Sequence, residues 1–186
     1  MKNLILSTIL LIIILVSFFG CGSSTVNLSK TDSGEIPIWF LTPPNDPNND
    51  TLFSAKTATS RDMQIAIDKA TTDARTEISR QIEVNVQGLQ KKFDEEVGLG
   101  EDSQLLSQFT QASKTVVSQS LIGSKVKDNK IIKDGNTWRS YVLVEYPLGA
   151  AKKLLLDKIK ENEQLYTRFR ASETFKELEN EVQRIK

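Results

Sequence analysis

One row of small and aliphatic residues at helical spacing constrains the fold of this chain more than any other feature. Its members are Met63, Ile67, Ala70, Ala74, Ile78 and Ile82. Spacings of three and four residues predict an amphipathic helix, which Ser60 would cap at a start near Arg61 or Asp62. Because alanine projects little beyond the backbone, this narrow stripe suits a helix that lies close on a β-sheet.

Strand signals lie on both sides of this helix. Residues 52–58 form one candidate, and residues 121–133 form another that is irregular around Asp128 and Asn129. The sequence Asp134-Gly135-Asn136 then predicts a tight turn and a hairpin. The strand after the turn is the clearest, since one predicted face carries Trp138, Ser140, Val142, Val144 and Tyr146 and the other Arg139, Tyr141, Leu143 and Glu145.

Two more helices complete the predicted fold. Residues 103–119 suggest one, and Pro147 starts the other at a position where its missing N–H costs nothing. The order strand, helix, helix, hairpin, helix predicts an α+β domain, with an antiparallel sheet of about three strands packed by helices. Before the first strand, residues 36–40 form an apolar cluster that we expect to lie extended, with Trp39 in a pocket.

The N-terminus carries a secretion signal. Lys2 precedes a run of apolar residues, which ends at Gly20 and Cys21, the only cysteine of the chain. The run falls short of the ~20 residues that span a bilayer. Cys21 is therefore the expected lipidation site, with residues 1–20 as signal peptide and 21–35 as tether; an uncleaved N-terminal anchor is the alternative.

Composition excludes several kinds of chemistry. The chain has no histidine and a single cysteine, so it cannot build a Ser-His-Asp triad, a Cys-His dyad or a cluster of cysteine thiolates around a metal. Lys and Arg together number 24, as do Asp and Glu, which leaves no overall basic charge for nucleic acid. We expect no enzyme activity, no metal and no cofactor beyond a covalent lipid on Cys21.

Several short segments resemble the Lpp-twenty family of bacterial lipoproteins. They are Pro37-Ile38-Trp39, the helix positions Ala66, Ala70, Ala74-Arg75 and Ile78, the segment Ser120-Leu121-Ile122-Gly123-Ser124, and the strand Tyr141-Val142-Leu143-Val144. The likeness runs from about Pro37 to about Ile159. It implies a protein anchored by lipid in the cell envelope, often at the outer membrane, with a compact α+β domain and no catalytic residues.

Other candidate sites have plainer alternatives. Asp46, Asn48 and Asp50 alternate like calcium ligands, but Thr51 replaces the glycine of such a loop, which favours a solvated loop. The acidic residues at 94–96 and 101–102 read as charged surface near a turn. Trp39, Trp138, Tyr141 and Tyr146 could line a ligand groove, although their spacing favours packing on the sheet.

The last segment, residues 171–186, is predicted to be an amphipathic helical tail after a single domain at residues 36–170. Its apolar stripe is Phe175, Leu178, Val182 and Ile185. A helix this short is marginal alone, so the stripe should bury against its own domain, a partner or a second copy. The spacing is compatible with all three.

The sequence favours a non-enzymatic envelope protein that is held to the membrane by lipid and acts as a protein-interaction or structural module, with other envelope proteins or a second copy of the chain as partners. A periplasmic carrier of small ligands, using a pocket under Trp39 and Trp138, is one alternative. An accessory factor of an envelope assembly, such as the flagellar basal body, is another.

Overall fold

The computed structural model describes residues 36–48 and 50–184 and is an α+β domain. In chain order the elements are α1 (Ile38–Leu41), β1 (Thr51–Ser60), α2 (Met63–Val97), a short 3₁₀ turn (Leu99–Glu101), α3 (Ser103–Gly123), β2 (Lys125–Asp134), β3 (Thr137–Pro147), α4 (Leu148–Glu161), α5 (Glu163–Phe169) and α6 (Glu173–Arg184). The predicted order of elements is confirmed, with α1 before it and the short helix α5 added between α4 and the tail helix α6.

The sheet has three antiparallel strands in the order β1-β3-β2. The hairpin turn between β2 and β3 contains Gly135 at φ +57°, a backbone conformation that glycine adopts without steric cost. The register of β2 against β3 shifts between Val126 and Asp128, so the predicted irregularity is a β-bulge. Val142 and Val144 point into the core, whereas Tyr141 and Leu143 lie on the outer face.

Helix α2 lies on the inner face of the sheet through a stripe of small residues. Ala66, Ala70 and Ala74 are fully buried and are followed by Ile78 and Ile82. The stripe thus starts at Ala66; Met63, which the sequence placed in it, is exposed.

The residue that caps the start of α2 also differs from the prediction. Asp62 is the capping residue, because its carboxylate accepts the N–H of Ile65 at 2.9 Å. Ser60 instead accepts the N–H of Asp62 at 3.2 Å, and so shapes the turn that leads into the helix.

Three phenylalanines in mutual contact join the far ends of the helices. Phe93 of α2 stacks on Phe169 of α5 with ring centroids 4.1 Å apart. Phe109 of α3 meets both rings edge to face at 5.9 Å. All three side chains are fully buried, so this end of the core depends on aromatic contacts where the other end depends on alanine.

The sequence predicts an extended segment before β1. This prediction is wrong, since the segment forms the single helical turn α1. Pro37 precedes it with an extended backbone, and the N–H of Thr42 donates to the carbonyl of Ile38 at 2.8 Å. This turn packs on the outer face of the sheet, where the ring of Phe40 meets that of Tyr141 at 4.9 Å. The aromatic contact with the sheet is thus made by Phe40, whereas Trp39, which we predict to fill a pocket, is half-buried.

Helix α6 packs on its own domain. Phe175, Leu178 and Val182 are buried and belong to the same core cluster as the residues of α2 and α4. Ion pairs from Lys92, Lys152 and Lys160 to Glu177, Glu181 and Glu179 flank this contact. Of the predicted stripe, Ile185 lies outside the described residues.

Candidate functional site

The connection from α3 to β2 combines a fixed backbone with exposed apolar side chains. Ser120 is fully buried, and its hydroxyl donates to the carbonyl of Val117 at 2.6 Å. The hydroxyl of Ser124 donates to the carbonyl of Leu121 at 2.9 Å, while its N–H donates to Ser120 O at 3.1 Å. These bonds satisfy the last turn of α3 from within and hold the connection in one conformation.

Gly123 allows this turn to approach the sheet. A Cβ atom at this position would lie 3.1 Å from Cε2 of Tyr146, which is nearer than side-chain carbons normally come. Tyr146 is buried on the inner face, and burial raises the pKa of its hydroxyl. The polar and small residues of segment 120–124 therefore have structural roles.

Three large apolar residues at the same connection remain in solvent. Ile122 is 86% exposed, Val126 43% and Leu121 41%. They lie within six residues of one another along the chain, and we call them the α3–β2 patch. Scattered apolar residues are normal on protein surfaces, but apolar side chains collected on a rigid turn are typical of binding surfaces.

A groove between α2 and α3 extends from Leu121. Its volume is about 370 Å³, and its apolar floor includes Val86 and Val117. Polar side chains from both helices border it, namely Glu83, Gln87, Gln90, Thr110, Ser113, Lys114 and Ser118. An apolar strip with a polar rim is typical of a protein–protein interface. A small-molecule site would instead enclose most of the surface of its ligand.

A second groove of about 340 Å³ lies beside α4 and is bordered by Lys152 and Glu181, which form an ion pair at 3.0 Å. Neither groove is lined by Trp39 or Trp138. The ring of Trp138 carries the ammonium of Lys133 at 5.2 Å from its centroid. These two grooves thus give no support to a ligand pocket under the two tryptophans.

The acidic candidates engage backbone groups. Asp46 accepts the N–H of Asn48 at 3.0 Å, which lowers the pKa of its carboxyl group. Asp94 accepts the N–H of Gly100 at 2.5 Å, and Glu96 binds the first turn of α6. Within residues 36–48 and 50–184, no three acidic, histidine or cysteine side chains gather as metal ligands would.

The tail residues that the sequence offers as an interface are buried in the domain wherever the structure describes them. Phe175 and Leu178 are 2% and 1% exposed, so an interface through them would require α6 to leave its domain. The α3–β2 patch does not follow from the sequence pattern, which predicts a strand over residues 121–133, whereas α3 continues to Gly123. The signal was present in segment 120–124, where two large aliphatic residues interrupt small and polar ones.

Cys21 lies outside the described residues, so its lipidation remains a prediction from the sequence. No helix between residues 36 and 184 is both long enough and apolar enough to cross a bilayer.

Comparison with curated proteins finds no match. Residues 37–146, more than half of the chain, match the family described as LPP20 lipoprotein. The match spans α1 to β3 and includes the α3–β2 patch, so the chain belongs to the LPP20 lipoprotein family.

Proposed function

We propose that this protein is anchored in the bacterial cell envelope by lipid on Cys21, and that its domain binds other envelope proteins without catalysing a reaction. Family membership and the position of Cys21 after an apolar run support the anchor. The outer membrane is the location that the family resemblance favours. One observation carries the binding role: Ile122 is 86% exposed on a turn whose backbone is fixed by Ser120 and Ser124.

A rigid turn favours binding because little conformational freedom remains to be lost when a partner arrives. The patch also continues into the groove between α2 and α3, which adds apolar area around Leu121. The partner that fits this surface is a protein with an apolar ridge, for example one face of an amphipathic helix. A second copy of this chain would meet the same requirement, and then the protein would be a homo-oligomer.

The anchor is tested by the intact mass of the protein extracted from its native membrane. We expect a chain that starts at Cys21 and carries acyl groups, and a Cys21→Ala variant that lacks them. A wild-type chain that retains residues 1–20 and carries no acyl mass would refute the lipid anchor.

The binding role is tested by site-specific photocrosslinking in intact cells. A photoreactive residue at position 122 is expected to capture one or a few discrete proteins, identified by mass spectrometry. The matched control is position 183 on α6, which is also exposed and helical but lies away from the patch. Equal, diffuse crosslinking from both positions would contradict a specific binding surface at Ile122.

An additional variant separates a partner from a second copy. Ile122→Ser should abolish the crosslinks made from position 126 while the protein keeps its fold, because the side chain contributes little to the core. If the captured band is the chain itself, the protein is a homo-oligomer and the interface lies at the patch. If Ile122→Ser leaves the crosslinks of position 126 unchanged, the proposed surface is wrong.

A further inference from the structure

The single turn α1 is apolar on the side that the domain does not cover. Ile38 is 78% exposed and Leu41 is 61% exposed, and their spacing of three residues places both on one side of the turn. Phe40 points the other way, onto Tyr141 of the sheet. The turn thus lies against the sheet while it presents two aliphatic side chains to solvent.

This exposed edge lies where the domain is joined to the predicted anchor. Fourteen residues, 22–35, separate Cys21 from Ile36. A stretch of this length extends to about 50 Å at most, so it confines the domain to the neighbourhood of the anchoring bilayer. Confinement raises the effective concentration of the membrane surface, and a weak contact then suffices to orient the domain.

The charges around α1 favour an apolar contact over electrostatic adsorption. On the outer face of the sheet, Lys127 pairs with Glu145 at 2.7 Å and Arg139 pairs with Asp134 at 3.0 Å. By register, Lys125, Lys130 and Asp128 lie on the same face, so four cationic side chains stand beside three carboxylates and no large excess of positive charge results. A surface that adsorbs to anionic headgroups would carry a clear excess of lysine and arginine.

Two aliphatic side chains are also too small a surface for a stable protein partner, which typically covers about 800 Å² on each side. A bilayer to which the chain is already tethered makes no such demand. We propose that Ile38 and Leu41 insert into the interfacial layer of the bilayer that holds Cys21. The inference rests on the proposed lipid anchor and adds an orientation to it.

The orientation has a consequence for the binding surface. Helix α1 packs on the outer face of the sheet, whereas α3 packs on the inner side through Gly123 and Tyr146. With α1 at the membrane, the α3–β2 patch remains away from the bilayer and open to a protein partner. The two surfaces are therefore compatible on one domain.

The chain contains two tryptophans, which provide a matched pair of reporters. Trp39 lies in α1 beside Ile38, and Trp138 lies in β3, on the face of the sheet opposite to Tyr141. The acylated full-length protein is reconstituted in vesicles of phosphatidylethanolamine and phosphatidylglycerol whose acyl chains carry bromine. In the Trp138→Phe variant we expect brominated lipid to quench the emission of Trp39 about twofold, from a depth of about 5–10 Å, and to do so in high salt as well.

The Trp39→Phe variant, in which only Trp138 emits, should show little quenching. Changing Ile38 and Leu41 to serine in the Trp138→Phe protein should restore the emission of Trp39, while circular dichroism reports an intact fold. Equal quenching of both reporters, no quenching of Trp39, or loss of quenching in high salt would each overturn the proposal. The mass of the same sample shows whether Cys21 is acylated: an acylated but unquenched protein refutes only the orientation, whereas an unacylated native protein refutes the anchor and the orientation with it.

Discussion

The carboxylate of Glu96, at the end of α2, accepts the backbone N–H of Thr174, in the first turn of α6, with 3.1 Å between oxygen and nitrogen. The hydroxyl of Thr174 donates to the same carboxylate. One acidic side chain thus satisfies the start of another helix, at the end where a helix favours negative charge. This contact joins the C-terminal helix to the longest helix of the domain.

The contact predicts a pH dependence of stability. The hydrogen bond from Thr174 lowers the pKa of Glu96 from its ordinary value of 4.5. Because the pKa is lower in the folded state than in the unfolded chain, the contact stabilises the protein above pH 4.5 and is lost as the pH falls below it. Glu96 is exposed, so we expect Glu96→Gln to reduce the free energy of unfolding at pH 7 by no more than about 1 kcal/mol.

This effect is measured by denaturant unfolding of wild type and Glu96→Gln at a series of pH values. The two curves should differ at pH 7 and converge in the acid range, where the wild-type carboxyl group also becomes neutral. A difference that stays constant down to the acid end would mean that the charge of Glu96 contributes nothing.

Helix α6 is predicted to be a stabilising part of the domain. Leu178 is 1% exposed, and Leu178→Ala should lower the free energy of unfolding by about 2–5 kcal/mol, since it leaves a cavity in the core. The exposed neighbour Gln183 provides a control, because Gln183→Ala should change stability by less than about 0.5 kcal/mol. Similar small effects for both variants, measured by urea unfolding, would contradict the docked position of α6.

Local pattern was sufficient to predict much of this fold. The alternation from Trp138 to Tyr146 predicted β3 and its two faces, and the polar pair Asp128-Asn129 predicted the irregularity that proves to be a bulge. Such features depend on residues close in the sequence, so they can be read without knowledge of the tertiary structure.

Features that depend on distant contacts could not be read in this way. The turn at Ile38–Leu41 forms where Phe40 meets Tyr141, about a hundred residues further along the chain. The stripe of α6 is compatible with burial against its own domain, a partner or a second copy. Amphipathic spacing predicts that one face of a helix is buried, but it does not identify the surface that covers this face. The α3–β2 patch likewise depends on Gly123 meeting Tyr146 across the fold.

The alanine stripe of α2 predicts a strict limit on side-chain size. Ala70 is fully buried between the helix and the sheet, and Ala70→Leu should cost about 1–3 kcal/mol or more, because the helix would have to move outward. Thr72→Leu, on the exposed side of the same helix, should be nearly neutral. Thermal unfolding of the two variants checks the prediction, and an Ala70→Leu protein as stable as Thr72→Leu would show that α2 does not pack closely on the sheet.

Two glycines within helices should respond in opposite directions to the same substitution. Nothing lies within 4 Å of a Cβ atom at Gly88 in α2, so Gly88→Ala should stabilise the protein by about 0.5–1 kcal/mol through helix propensity. At Gly123 the new methyl group would lie 3.1 Å from the ring of Tyr146, and crowding should outweigh that gain and cost about 1 kcal/mol net. Tyr146→Leu should largely remove the penalty of Gly123→Ala in a double-mutant cycle of unfolding free energies, because the leucine side chain lacks the crowded ring atom. Additive effects of the two substitutions would mean that Gly123 and Tyr146 are not coupled, and the close approach that shapes the α3–β2 connection would be refuted.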